Sequence, residues 1–183
     1  MTQRILAEQI ATIATSDTPV PTDVRAMLHR VTLDAFGLML AARQTDYIEA
    51  LKASCLDQGT ATAFGHGSGF TVQDATLING TAVHGEDFDD TFEGTPVHVS
   101  SVIVPTMLAI AERENISRDR LINAMAQGSE LICRLALVAP TAIHRQGFHP
   151  TAILGAFGAS LTASIAYQLT PKQTASALGI VGS

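Results

Sequence analysis

The chain has 183 residues, of which 46% are hydrophobic and only 15% charged, and its net charge is −6. This length suits one domain with its own core, although soluble proteins usually have roughly 25% charged residues. The sequence has no basic run, which argues against nucleic-acid binding. Two cysteines are too few for an iron–sulfur cluster, and the most apolar run, 102–111, is far shorter than the roughly 20 residues of a membrane helix. We therefore expect a cytoplasmic protein without membrane contact.

Hydrophobic spacing predicts an all-α, multi-helix domain with one short extended excursion. Apolar residues recur at helical intervals in eight segments: 3–15, 23–42, 46–56, 74–87, 100–113, 118–138, 151–167 and a last helix that begins at Pro171 after a Thr170 cap. Thr22 is predicted to cap the second helix, whose apolar residues surround it and so indicate burial on most sides. Residues 16–19 separate the first two helices. Alternation and glycines predict a short hairpin at 60–71.

The last residues, ALGIVGS, are apolar and do not resemble the polar, frayed tail that usually ends a domain. We therefore expect residues 1–183 to form a helical domain that is truncated at its C-terminal end. An inactive, decayed remnant whose fold survives is one alternative that this ending leaves open.

The segment between His84 and His98 carries several carboxylates in a chain that is otherwise poor in charge. Buried like charges destabilise a fold unless protons, cations or ligands compensate them. If a helix continued through this segment, His84, Asp87 and Thr91 would share one face, with the remaining carboxylates elsewhere around it. A solvated acidic loop is the simpler alternative.

A second group, RQGFHPT at 145–151, precedes a helix that is rich in small residues. Pro150 suits a first helical turn, where exposed backbone N–H groups favour an anion. His149 is placed to donate to a substrate carboxylate or to carry a proton. It could equally be an ordinary residue at a helix start.

Several motifs together resemble the successive signatures of the MmgE/PrpD family, strongest from Asn79 to Gly158: NGTAVH at 79–84, DFDDT at 87–91, His98, Pro105, GFHPT at 147–151 and GAFGA at 155–159. That family includes 2-methylcitrate dehydratase, cis-aconitate decarboxylase and iminodisuccinate epimerase. The resemblance implies a helical domain joined to a smaller α/β lid domain, a homodimer, an active site between the domains, and no metal or organic cofactor. The lid domain, with a further lysine, histidine and tyrosine of the family's site, is absent from this sequence.

The resemblance also implies a set of site residues, because Asp87, Thr91, His98 and His149 match positions that line the family's pocket. The shared chemistry is proton transfer at a carbon beside a carboxylate, for which histidine is the usual acid or base. We therefore expect two groups of site residues: Asp87, His98 and His149 as catalytic, and Thr91, His84 and Arg145 as substrate-binding, with Arg134 as another candidate for a carboxylate clamp.

These features predict a lyase that acts on small polycarboxylates, with 2-methylcitrate dehydration as the first expectation. Cis-aconitate decarboxylation and iminodisuccinate epimerisation are alternatives, because the segment after Thr91 differs among family members. Asp89, Asp90 and Glu93 also resemble the magnesium motif of prenyl diphosphate enzymes, but a second acidic cluster is lacking. A transition-metal hydrolase that uses His84, Asp87 and His98 is a further, weakly supported alternative.

Overall fold

The structure is a computed structural model that describes residues 5–16, 18–114 and 116–183. Within these ranges the chain forms nine helices and one hairpin, in this order: α1 (Leu6–Ala14), α2 (Thr22–Ala42), α3 (Asp46–Ser54), β1 (Ala61–Ala63), β2 (Gly67–Phe70), α4 (Val72–His84), α5 (Ser100–Arg113), α6 (Arg118–Val138), α7 (Ala142–Arg145), α8 (Pro150–Ala166) and α9 (Pro171–Val181). The predicted all-α fold with one short hairpin is confirmed.

The helix caps agree with the sequence at the last helix and differ at the second. The Thr170 hydroxyl accepts from Gln173 N at 3.3 Å, and the Gln173 side chain accepts from Thr170 N at 2.9 Å, so α9 begins with the predicted cap in a reciprocal capping box. The predicted Thr22 cap is wrong. Pro21 holds the N-cap position and Thr22 is already the first helical residue.

Two predicted boundaries in the first third of the chain are too wide. The helix predicted at 3–15 is α1, with Ile5 as its N-cap, while residues 3 and 4 lie outside the described part of the chain, as does Asp17 in the predicted break. The helix predicted at 46–56 ends at Ser54. Leu56 beyond it is 91% exposed, so no core contact extends the helix to this residue.

The prediction that α2 is buried on most sides is wrong. Leu28, Ala35 and Met39 are buried, but Met27 and Leu33 expose 54% and 72% of their surface. The reason is that α2 packs mainly against α4, α5 and α6, which lie on one side of it. Its opposite apolar face remains accessible among the described residues.

Two hydrophobic cores lie side by side. The larger joins α2–α6 and the first turns of α8 through fully buried side chains such as Met39, Ile78 and Ile103. The smaller joins α1, α5, α6, α8 and α9 through Leu161, Leu178 and their neighbours. Because α5, α6 and α8 contribute to both cores, these three helices fix the two halves of the domain relative to each other.

Helices α6 and α8 approach each other at glycines. A Cβ on Gly128 would lie 2.9 Å from the Gly158 carbonyl oxygen, and a Cβ on Gly158 would overlap the Ile132 side chain. The two backbones can pack this closely only because both residues lack a side chain. By length and composition alone α6 could cross a membrane, a test that buried core helices of soluble proteins also pass.

The hairpin is fastened to α4 by one buried amide. Asn79, 2% exposed, accepts from Phe64 N at 2.8 Å and donates to Thr62 O at 3.0 Å. These two bonds satisfy backbone groups that the short β1–β2 pair leaves open. The NGTAVH motif therefore positions the hairpin with its first residue and carries His84 at its last.

Candidate active site

The C-terminal end of α4 places His84 at the edge of the site. The helix predicted at 74–87 instead runs from Val72 to His84, so the expected common helical face for His84, Asp87 and Thr91 is wrong. Asp87 has a φ of +58°, in the left-handed region, and its N–H donates to His84 O at 3.0 Å. The chain therefore turns sharply after His84, and the turn rather than a helix gathers the following carboxylates.

Asp89 is the buried centre of the cluster. Its side chain is 0% exposed, and both carboxylate oxygens lie 3.1 Å from His84 Nδ1. Its Oδ1 also lies 3.1 Å from His98 Nδ1. One desolvated carboxylate thus faces two imidazoles, an arrangement in which its charge is compensated rather than isolated. The sequence placed Asp89 away from the site, and it was not among the expected site residues.

Contacts to both the ring and the backbone of His98 fix its position. Its Nε2 lies 3.5 Å from Asp87 Oδ1, and its Nδ1 lies 3.5 Å from the Thr91 hydroxyl. Its backbone N–H donates to Thr151 Oγ1 at 3.0 Å, which joins the loop to the first turn of α8. The ring centroid is 4.8 Å from that of His84. The structure therefore brings the side chains of Asp87, Thr91 and His98 together.

His149 reaches the cluster from the start of α8. It is exposed and occupies the N-cap position before Pro150, and its Nε2 lies 3.3 Å from His84 Nε2. Partial desolvation by its neighbours lowers its pKa below the ordinary 6.5, and the charges of His84 and His98 lower it further, while Asp87 and Asp89 oppose this effect. A neutral imidazole with this position and pKa is suited to accepting a proton near neutral pH.

Among the described contacts, neither of the two arginines considered as carboxylate clamps binds a residue of this group. Arg134 pairs with Glu130 one turn away on α6, at 2.6 Å, and both side chains are largely exposed. Arg145 is exposed at the end of α7, and within the described chain no hydrogen bond or ion pair joins it to the imidazoles. A substrate contact by Arg145 stays a prediction.

Two of the three remaining carboxylates of the acidic segment, Asp90 and Glu86, have structural roles. Asp90 Oδ1 accepts from Ser100 N at 2.9 Å, which fixes the first residue of α5. Glu86 Oε1 accepts from the Tyr47 hydroxyl at 2.8 Å and so joins the turn to α3. Glu93 is exposed. Apart from Glu93, the acidic residues of this segment therefore either face imidazoles or hold the loop.

The same group could hold a metal ion. One donor atom from each of His84, Asp87, Asp89 and His98 lies within 4.8 Å of the others. Imidazoles and carboxylates are ligands that zinc accepts. The atoms also have partners in each other, so the geometry is compatible both with a metal-bound cluster and with a hydrogen-bonded one.

An open groove of about 820 Å³ gives access to His84 and His149. Helices α4, α5 and α8 form its walls, and the lining surface is mostly apolar, with contributions from Leu77, Val102 and Pro105. None of its described lining residues is a lysine or an arginine. A polyanion in this groove would meet imidazoles at one end but no permanent positive charge.

Comparison with known proteins gives the family. The model of the MmgE/PrpD N-terminal domain matches residues 4–183. The chain belongs to the MmgE/PrpD family. This MmgE/PrpD domain is 25% identical over 173 residues to a cis-aconitate decarboxylase-like protein of Aspergillus oryzae, a match over 88% of the chain and 36% of that protein. It is 32% identical over 114 residues to the cis-aconitate decarboxylase of Homo sapiens, covering 60% of the chain and 24% of that enzyme.

The Mus musculus cis-aconitate decarboxylase matches the domain to the same extent, 32% over 114 residues, 60% of the chain and 23% of the enzyme. This MmgE/PrpD domain thus spans well under half the length of these curated relatives. Family and relatives together support a lyase-family function.

Proposed function

We propose that this domain supplies the imidazole–carboxylate part of the active site of a lyase that acts on small polycarboxylates, with decarboxylation of a cis-aconitate-like acid as its reaction. The observation that carries the proposal is the convergence of His98 and His149, 51 positions apart in sequence, on His84 and Asp89. The names of the relatives favour decarboxylation over the 2-methylcitrate dehydration first expected from the sequence.

The proposed chemistry needs a group that moves a proton at carbon. Loss of carbon dioxide leaves an electron pair on the carbon that carried the carboxylate, and conjugation with a neighbouring double bond and carboxylate spreads this charge. A proton must then be delivered to carbon. His149 suits this role because its lowered pKa makes it a ready donor once protonated. His98, paired with Asp87, is the second candidate acid or base.

Substrate binding is proposed to use polar groups beside the imidazoles. Thr91 lies exposed beside His98 and can hydrogen-bond a carboxylate oxygen. The first turn of α8 adds backbone N–H groups and the positive end of a 17-residue helix, which favour an anion. Because the groove lining holds no lysine or arginine among the described residues, we propose that cationic contacts come from outside this cluster.

Two exposed aromatic residues support a covered site. Phe88, between Asp87 and Asp89, exposes 78% of its surface, and Phe148, next to His149, exposes 60%. Large apolar side chains at the edge of a polar cluster are typical of a surface that meets another one. This supports an active site that lies between domains, while the homodimer and the cytoplasmic location implied by the resemblance stay predictions.

The test uses the protein expressed from the complete reading frame that contains these residues. It is incubated with cis-aconitate and, in parallel, with 2-methylcitrate, and products are followed by proton NMR. We expect carbon dioxide release from cis-aconitate, and a kcat about 10²–10⁴-fold lower in His149→Gln, since a positioned acid or base contributes about that factor.

The matched control is His144→Gln, which removes an exposed imidazole on α7 that has no described contact with the cluster. It should leave turnover unchanged. Turnover that is equal in His149→Gln and in the parent enzyme would remove His149 from the mechanism. If cis-aconitate released no carbon dioxide, the proposed reaction would be wrong, and conversion of 2-methylcitrate alone would favour the dehydration first expected from the sequence.

A further inference from the structure

The contacts of Asp89 and His84 restrict where their hydrogens lie. An ionised carboxylate only accepts hydrogen bonds, and both Asp89 oxygens lie 3.1 Å from His84 Nδ1. His84 Nδ1 must therefore carry the hydrogen that is donated to Asp89. In the neutral ring this leaves His84 Nε2 as an acceptor.

This assignment extends to His149. His84 Nε2 and His149 Nε2 are 3.3 Å apart, so one of them donates to the other. Because His84 Nε2 is an acceptor, His149 Nε2 carries the hydrogen, and its Nδ1 is the atom with a free lone pair. The three side chains form a directed series: His149 donates to His84, and His84 donates to Asp89.

We propose that Asp89 is the positioning residue of this site and that Asp89, His84 and His149 form a proton relay, in which His84 serves His149 rather than binding substrate. The proposal rests on the proposed function above for the identity of the reaction. It reassigns His84, expected from the sequence as a substrate contact, and adds a residue that the sequence left out.

Every proton that enters this relay also leaves it. When His149 Nδ1 accepts a proton from a donor in the groove, the ring becomes an imidazolium, and its Nε2 proton moves to His84 Nε2. His84 is then an imidazolium whose Nδ1–H faces the Asp89 carboxylate, so the positive charge rests beside a buried negative one. The reverse sequence returns the proton through His149 to the substrate carbon, and all three side chains regain their starting states.

Burial explains why Asp89 rather than Asp87 has this role. The Asp89 side chain is 0% exposed, whereas that of Asp87 is 79% exposed. A carboxylate excluded from water interacts more strongly with a neighbouring imidazolium, because water does not screen the pair. Asp89 also lies 3.1 Å from His98 Nδ1, so the same group helps to orient the second imidazole.

The first experiment reads the tautomers in the chain itself. Histidine labelled with ¹⁵N reports by NMR which ring nitrogen carries the proton, and the spectrum is recorded near pH 8, where an ordinary imidazole is neutral. We expect the Nδ1–H form for His84 and the Nε2–H form for His149. An Nε2–H form of His84 would overturn the proposal even if every variant failed to fold.

The same spectrum is then recorded for Asp89→Asn. We expect His84 to shift towards the Nε2–H form, because an amide accepts more weakly than a carboxylate and can also donate. The matched control is Asp90→Asn, since Asp90 binds Ser100 N and its amide would keep that bond. It should leave both tautomers unchanged. An Asp89→Asn spectrum identical to the parent would overturn the positioning role.

Two further measurements complete the test: the effect of metal ions on the histidine signals, and the turnover of a variant. Adding Zn²⁺ or EDTA should leave the His84 and His98 signals unchanged, whereas a zinc-induced shift of both would overturn the relay in favour of a metal site. In the complete enzyme, Asp89→Asn should lower kcat about 10–100-fold with little change in KM, as losses of supporting hydrogen bonds do. Equal kcat would overturn the relay. Because the tautomers are read without substrate, they judge Asp89 separately from the proposed reaction.

Discussion

Replacing Gly128 with alanine tests the close packing of α6 on α8. A Cβ at this position would overlap Thr162 Oγ1 and lie 2.9 Å from the Gly158 carbonyl oxygen and 3.0 Å from Ile103 Cδ1. Thr162 is 1% exposed and its hydroxyl donates to Ala124 O at 3.3 Å, so it cannot turn into solvent. Helix α6 or α8 must therefore move, or the threonine must give up its hydrogen bond.

The expected cost follows from three contributions. Overpacking a core position costs about 1–3 kcal/mol. Loss of the Thr162 hydrogen bond costs about 1 kcal/mol. Alanine is favoured over glycine inside a helix by about 1 kcal/mol, which offsets the second contribution. We therefore expect the free energy of unfolding of Gly128→Ala to fall by about 1–3 kcal/mol, which lowers Tm by about 2–12 °C in a chain of this size.

The assay is urea unfolding followed by far-UV circular dichroism, with Gly37→Ala as the matched control. Gly37 is also inside a helix, but it is exposed, and a Cβ there would meet nothing within 4 Å. The control should gain about 0.5–1 kcal/mol. If Gly128→Ala were as stable as its parent while Gly37→Ala gained stability, the close packing of α6 on α8 would be wrong.

Two further predictions concern titrating groups. Burial, with the charges of Glu130 and Asp90, raises the pKa of the Cys133 thiol to about 11. In a Cys55→Ser variant at pH 8, iodoacetamide should therefore modify Cys133 about 100-fold more slowly than an unfolded control, and equal rates would contradict this burial. The lowered pKa of His149 predicts an NMR titration midpoint below 6.5 that rises in His84→Gln, and a stability that falls as the pH drops below 6.5, because the unfolded chain then binds the proton more readily. A midpoint at or above 6.5 would contradict the stated environment.

The helices were predictable because their signals are local. Periodic apolar residues located the long helices and the hairpin, and Thr170 with Pro171 fixed the start of α9. The burial of α2 was not predictable. An apolar residue shows that burial would be favourable, but it does not show that another helix covers it. Leu33 and Met39 are both apolar and on one helix, yet one is 72% exposed and the other fully buried. Which face meets the core depends on where α4 and α5 lie.

The sequence indicated which side chains would lie close together better than it indicated how they are arranged, and their roles in a site stay predictions. The resemblance marked Asp87, Thr91, His98 and His149, and the structure brings them into one region. Asp89 was missed because a helix was assumed to continue to Asp87, which would have turned Asp89 away. One signal could have found it: Gly85 directly after His84 is typical of a helix end, and a turn there frees the next carboxylates to fold back. No pattern of apolar and polar residues predicts the positive φ of Asp87.

The close packing of α8 against α6 also determines where His149 lies. Gly128 and Gly158 set how closely α8 approaches α6, and Thr151, in the first turn of α8, accepts the backbone N–H of His98 at 3.0 Å. His149 stands at the same helix end, 3.3 Å from His84. Hydrogen bonds weaken steeply beyond this length, so even a shift of α8 by a fraction of an ångström would uncouple His149 from His84. The small residues of α6 and α8 therefore stabilise the fold and also hold the relay in register, and a substitution at Gly128 should disturb the His149 tautomer that one at Gly37 leaves unchanged.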